Sequence, residues 1–219
     1  MTGVQTCALP ILTFQRFFAK GSLVSAGVFY KKVSDYIGMN SVAGTYQGNQ
    51  AFYTQQVNNG SGSVSGLELV YQQAFTTLPE PFNGLGVFSN YTYTRSDIKE
   101  NGDASGATFQ PIGTNGLMKH NGGLTVWYER NGFEARLAAN FHSAYNRAPT
   151  WDSTRFQING AETWVSLNLS KQVTEQLQLR VGVENLTNQR VTYTDPLNPV
   201  NQVNFQFGRR INFGLSYKL

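Results

Sequence analysis

Cysteine, histidine, charge and long apolar runs are all scarce in this chain, and each scarcity excludes a class of protein. Cys7 is the only cysteine among 219 residues, which rules out an internal disulfide framework and a thiolate zinc site. His120 and His142 are the only histidines, and neither has Asp, Glu or Cys at metal-ligand spacing. Charged residues make up 14% of the chain, well below the roughly 25% usual for soluble domains. With 13% aromatics and 22 glycines, that shortage does not signal disorder. The net charge of +4 is scattered, and Lys31-Lys32 and Arg209-Arg210 are the longest basic runs. No basic stripe marks a nucleic-acid surface, so no nucleic-acid partner is expected. No apolar run approaches the ~18 residues of a membrane-spanning helix. The GSGSVSG run at residues 60–66 is neither a nucleophile elbow nor a dinucleotide loop, and it reads as a flexible connection. No catalytic residue, metal site or cofactor is expected, and the chain does not read as an enzyme.

What the chain has is alternation. In VNFQFGRRINFGLSYKL, residues 203–219, every second position from Val203 to Leu219 is apolar except Arg209, and the intervening positions are polar or glycine. The same period of two runs through residues 22–32, 64–75, 85–95, 122–129, 133–142, 163–171 and 177–184. Alternation of this length predicts strands, not helices. The expected fold is all-β, an antiparallel meander of about eight long strands. Residues 1–12 do not match the rest. MTGVQTCALPI resembles a translated sequencing adapter, so 1–12 reads as a foreign or unstructured segment and 13–219 as the folded part.

The connections alternate too. Residues 33–62, 96–116, 143–160 and 188–202 are long, whereas 76–84, 130–132 and 172–176 are short. Long and short connections therefore fall at opposite ends of the strands. Outer-membrane barrels show this asymmetry, with short periplasmic turns and long extracellular loops. Segments here are longer than the usual 5–6 residues of soluble strands and near the 9–11 that cross a bilayer. The polar parity carries Glu134, Arg136, Arg180, Glu184 and Arg210 in mid-strand. An Arg turned into lipid at the midplane costs about 2–4 kcal/mol, so the apolar list is expected to face lipid. Those charges then face a hydrated lumen. Arg209 breaks the rule and belongs near the outer interface. The mean hydropathy of −0.32 does not argue against this, since lumen residues dilute every window.

Several stretches resemble the C-terminal part of a TonB-dependent receptor barrel. They are GLELVYQQAF (66–75), LPEPFNGLGVFSNYTYTRSD (78–97), LTVWYERNGFEARLAANF (124–141), VGVENLTNQRVTYTD (181–195) and FGRRINFGLSYKL (207–219). The NYTYT after a Leu-Pro turn is most similar to receptors of Xanthomonas and Caulobacter type. The resemblance implies an intact barrel of about 22 strands with a plugged lumen, of which this chain supplies about the last eight. It also implies active uptake of a scarce ligand, a ferric siderophore or an oligosaccharide, across the outer membrane of a Gram-negative bacterium. The implied partners are outer-membrane lipid, the TonB complex acting through a plug outside this chain, and the barrel-assembly machinery acting on Phe213 to Leu219. Such barrels usually end in Phe, where this chain has Leu219. Two other readings of the alternation stay open: a complete small eight-stranded barrel with a structural or adhesive role, and a soluble carbohydrate-binding β-sandwich. Aromatics in the long connections, Tyr53, Phe109, Tyr145, Trp151 and Tyr193, are the candidate ligand contacts, since amphipathic rings stack on such ligands. Tyr30, Tyr91, Tyr93, Tyr128 and Tyr217 suit an interfacial girdle, while Trp127 and Trp164 fall on the polar parity with no reason visible in the sequence.

Overall fold

A computed structural model describes residues 6–35, 37–58, 60–100, 114, 116–147, 157–195, 200 and 202–218. The strands in chain order begin with β1 (Thr6–Ala8), β2 (Ile11–Ala19), β3 (Ser22–Ser34), β4 (Ile37–Tyr46), β5 (Asn49–Asn58), β6 (Gly60–Ala74), β7 (Leu85–Ser96) and β8 (Lys99–Glu100). They continue with β9 (His120–Arg130), β10 (Phe133–His142), β11 (Tyr145–Arg147), β12 (Gln157–Asn159), β13 (Glu162–Gln172), β14 (Leu177–Glu184), β15 (Arg190–Thr194), β16 (Gln202–Gln206) and β17 (Arg210–Tyr217). One 11-stranded sheet runs β1-β3-β6-β7-β9-β10-β13-β14-β17, with β2 also on β3 and β8 also on β6. A four-stranded sheet, β11-β12-β15-β16, and the β4-β5 hairpin make up the remainder. All pairings are antiparallel.

The meander follows the alternation, and its faces separate by register. Val87, Val126, Leu137, Leu167, Val183 and Ile211 form one row across β7, β9, β10, β13, β14 and β17. The next row, on the opposite face, reads Gly86, Trp127, Arg136, Asn168, Gly182 and Asn212. The apolar row is not packed against a second layer. Leu137 is 43% exposed, Ile211 58% and Phe213 79%, and the buried hydrophobics among the described residues are Val33, Ile98 and Val191. Leaving a Val, Leu, Ile or Phe in water forgoes about 1.5–3 kcal/mol each. Rows of them on one open face fit a sheet whose solvent on that side is hydrocarbon. A β-sandwich would bury this face, so that reading is corrected. The small closed barrel is corrected as well: β2 pairs only with β3 and β17 only with β14, so the described sheet is open.

Further details differ from the sequence reading. Ile11–Ala19 is an additional long strand, in register with β3 from Ile11↔Phe29 to Phe17↔Leu23 and shifted by a bulge before Ala19↔Ser22, and Thr6–Ala8 pairs with Lys32–Ser34. The terminal alternation is not one strand. It breaks at 207–209, where Gly208 takes φ 75°, and its two halves belong to different sheets. GSGSVSG is not a flexible loop but the first half of β6, with Gly66 directly opposite Phe29 on β3. A Cβ at Gly66 would overlap that ring. The tight hairpin at Asn131-Gly132 forms as expected, with φ 51° and 67°. Among the described residues, the long connections contribute β4, β5, β8, β11, β12 and β15, while 20–21, 75–84, 131–132 and 173–176 turn the chain at the other end of the strands.

Candidate functional site

The polar face holds a depression of about 500 Å³ whose lining includes Gln72, Phe88, Trp127, Glu129, Glu134 and Arg136. Trp127 lies on this face because its cross-strand partner is Gly86: the indole covers the space a side chain would need, and a Cβ at Gly86 would overlap the ring. Each expected lumen charge lies on this parity. Glu134 accepts from Ser170 Oγ at 3.1 Å, and the Arg180 guanidinium donates to Gln178 Oε1 at 2.9 and 2.6 Å. Arg210 sits 3.6 Å from Glu184 with both side chains more than half exposed, so the pair contributes about 0–1 kcal/mol. Arg209 lies at the long-connection end of β17, where its Nε donates to the Leu186 carbonyl at 2.8 Å.

Above this wall, β11, β12, β15 and β16 build a rim. Register aligns Tyr145 with Asn159, Asn159 with Tyr193, and Tyr193 with Val203, which places the two candidate tyrosines on one face. The Arg147 guanidinium lies 4.7 Å from the Tyr193 ring centre, and Phe205 meets Tyr193 edge-on at 5.6 Å. Phe205 stacks on Phe207 at 6.3 Å, and Phe207 approaches Trp164 at 6.4 Å. Tyr145 meets His142 edge-on at 5.6 Å.

A buried polar cluster joins rim to wall. Glu162, 7% exposed, accepts from Trp164 Nε1 at 2.7 Å and from Asn159 Nδ2 at 2.9 Å, and it faces His142 Nε2 at 3.6 Å. These bonds explain why Trp164 has polar-face parity. Burial pushes the Tyr145 hydroxyl pKa up, and the neighbouring Glu162 carboxylate adds to the shift. The Asn146 carbonyl accepts from the Gly116 amide at 2.7 Å. Asn185 (φ 53°) closes the last long connection: its Nδ2 donates to the Gly208 carbonyl at 2.8 Å and its Oδ1 accepts from the Gln189 amide at 2.6 Å.

The structure thus brings together Tyr145 and Tyr193 but not Tyr53. Tyr53 belongs to the β4-β5 hairpin, where its ring covers Gly44 and its hydroxyl donates to the Thr45 carbonyl. Phe109 and Trp151 lie outside the described residues, as does Leu219. Arg147, Asn159, Glu162, Phe205 and Phe207 were missed in the sequence, because no local spacing joins residues that meet only through strand register.

The pattern of the TonB dependent receptor-like, beta-barrel family matches residues 12–186. The chain belongs to that family. No curated protein matches the chain in sequence. Solved TonB-dependent receptors share its fold at low identity. The ferric-catecholate import receptor Fiu of E. coli K12, in its closed form, is 14% identical with a TM-score of 0.64, covering 98% of this chain and 28% of its own. A mutant of the ferric enterobactin receptor PfeA of Pseudomonas aeruginosa is 14% identical with a TM-score of 0.61, covering 97% and 31%. The FrpB iron transporter of Neisseria meningitidis, F3-3 variant, is 13% identical with a TM-score of 0.60, covering 96% and 30%. The chain spans less than a third of the length of these receptors. It is a partial barrel wall of a TonB-dependent receptor, a family of outer-membrane receptors and transporters.

Proposed function

We propose that this wall serves an outer-membrane receptor of a Gram-negative bacterium that imports a ferric siderophore, with ligand held at the rim formed by Tyr145, Arg147 and Tyr193. One observation supports the reading above others: a single-layer sheet exposes its apolar face, hollows its polar face and gathers every long connection at one end. Arg147 stacked on Tyr193 offers a cation and an aromatic plane together, which suits an anionic aromatic chelate better than a neutral sugar. The similarity to proteins described as ferric-catecholate and ferric enterobactin receptors points the same way. Energy would come from the TonB complex through a plug outside this chain. Insertion would use the assembly machinery acting on residues 213–219. Glu134, Arg136, Arg180, Glu184 and Arg210 would line the lumen beside the plug.

The test is uptake of radiolabelled iron by cells expressing the full-length receptor, supplied as a catecholate chelate, with and without TonB. TonB-dependent accumulation of iron supports the reading. TonB-dependent accumulation of a labelled oligosaccharide, with no iron uptake, would replace it with the carbohydrate alternative.

A further inference from the structure

His142 closes β10 on the polar face, and both of its ring nitrogens meet acceptors. Nδ1 lies 3.0 Å from the Ser143 carbonyl oxygen, and Nε2 lies 3.6 Å from Glu162 Oε2. A neutral imidazole has one N–H and one lone pair. Either neutral tautomer therefore turns its lone pair on one of these two oxygens. The imidazolium alone offers a proton to both.

Glu162 carries the structure that this charge acts on. It opens β13 directly opposite His142 and is 7% exposed. Its Oε1 accepts from Asn159 Nδ2 at 2.9 Å, and its Oε2 accepts from Trp164 Nε1 at 2.7 Å. Asn159, 3% exposed, is the middle residue of the register row Tyr145, Asn159, Tyr193. One buried carboxylate thus ties the centre of the rim to the end of the wall. The same imidazole that faces this carboxylate also meets the ring of Tyr145. A buried carboxylate is tolerated when it is paired and hydrogen-bonded, and is costly when a lone pair faces it instead.

The groups around the pair offer no substitute for the His142 proton. From β11 come Tyr145 and Arg147, and the Arg147 guanidinium lies over the Tyr193 ring of β15. On β9 the residue opposite His142 is the neutral Asn121. His120, one position earlier, has the opposite parity, and its Nδ1 lies 2.7 Å from the Tyr91 hydroxyl. Among the described residues, His142 is the basic side chain within ion-pair distance of Glu162.

We propose that Glu162 is a positioning residue for the ligand-holding rim and that His142 controls its hold: with His142 protonated the rim is fixed, and with His142 neutral it loosens. The proposal rests on the reading that Tyr145, Arg147 and Tyr193 take the ligand.

The test uses the full-length receptor containing this chain, in detergent, at about pH 5 and about pH 8, the limits between which histidine changes charge. Amide exchange of residues 145–147, 157–159 and 190–194 is read without ligand and corrected for the intrinsic effect of pH. Binding of a ferric catecholate chelate is read by tryptophan quenching, as the ratio of wild type to variant at each pH, so that the chelate's own pH chemistry cancels. Wild-type protection of the rim should fall about fivefold from the lower to the higher pH, the lower end of ordinary coupling between sites. His142→Gln should show no such fall, and should bind about fivefold more weakly than wild type at the lower pH only. His142→Arg, a cation throughout, should keep the rim protected at both. Glu162→Gln should remove the pH dependence as well, whereas a merely structural role would lower protection equally at both pH values. Should Glu162→Gln lose its heat-modified gel mobility, the His142 variants carry the test. A folded His142→Gln that keeps the wild-type pH dependence overturns the proposal, as does wild-type protection that does not change with pH. Wild type that binds no ferric catecholate at either pH overturns the proposed ligand instead, and exchange at the rim still decides the hold of Glu162.

Discussion

Leu137 and Ala138 are consecutive on β10 and stand on opposite faces, which makes them a paired test of the wall's orientation. Leu137 is 43% exposed and lies in register between Val126 and Leu167, whereas Ala138 lies between Thr125 and Ser166. Both are near the middle of a strand that runs from Phe133 to His142. An arginine near the bilayer midplane costs about 2–4 kcal/mol on a lipid face. At about 1.4 kcal/mol per tenfold, Leu137→Arg should lower the folding equilibrium constant by about 30- to 900-fold. Ala138→Arg enters an aqueous, polar wall and should stay within about 0.5 kcal/mol of wild type. The assay is urea-driven folding and unfolding of the full-length receptor in phospholipid vesicles, followed by tryptophan fluorescence and gel mobility. Equal effects of the two substitutions, or a larger loss from Ala138→Arg, would refute the assignment of faces.

Gly86→Val should destabilise by about 1–3 kcal/mol through overlap with the Trp127 ring, and Trp127→Ala in the same chain should recover part of the loss in the same unfolding assay. Asn185→Ala removes donors to Gln189 and Gly208 and an acceptor for the Gln189 amide, and it should cost about 1–3 kcal/mol, with faster amide exchange confined to residues 185–209. The Ser63 amide, followed by its hydroxyl, holds the Asp97 carboxyl below its usual range. Since the folded value is depressed, this contribution is complete above the ordinary carboxylate value of 3.8 and is lost only as pH falls through the lower folded value. Exchange of the Ser63 amide should therefore rise only in strong acid, and at neutral pH in Asp97→Asn. Arg147→Gln should weaken ferric-catecholate binding about two- to fivefold, as expected for an exposed cation–aromatic contact, without altering the unfolding midpoint.

Much of the wall was legible because the two faces of a single-layer sheet differ in polarity and alternate residues fall on opposite faces. Leu177, Leu179, Val181 and Val183 could be assigned to one face from spacing alone, and β14 pairs with β17 on that basis. Where the spacing misled, there is a physical reason. Phe205 and Phe207 keep the parity of Phe213, so the alternation runs on through the break that Gly208 makes with its positive φ. The β4-β5 hairpin turns at Gln47-Gly48, φ 50° and 81°, without the Asn-Gly pair that usually marks such turns. Ile11–Ala19 crowds Phe17 beside Phe18, which hides its period of two, yet it pairs with β3 along its length. The rim was legible only in part. Tyr145 and Tyr193 stand out as aromatics in polar connections, but Glu162, Asn159 and Trp164 read as ordinary strand composition until register places the carboxylate under the indole and the amide.

The most direct measurement is spin-label accessibility along β13 of the full-length receptor in vesicles, one label at a time from Thr163 to Lys171. Dissolved oxygen should collide most with labels at Val165, Leu167 and Leu169, and a water-soluble nickel chelate most with labels at Ser166, Asn168 and Ser170. The opposite phase, or no period of two, would contradict a wall with lipid on one side and water on the other.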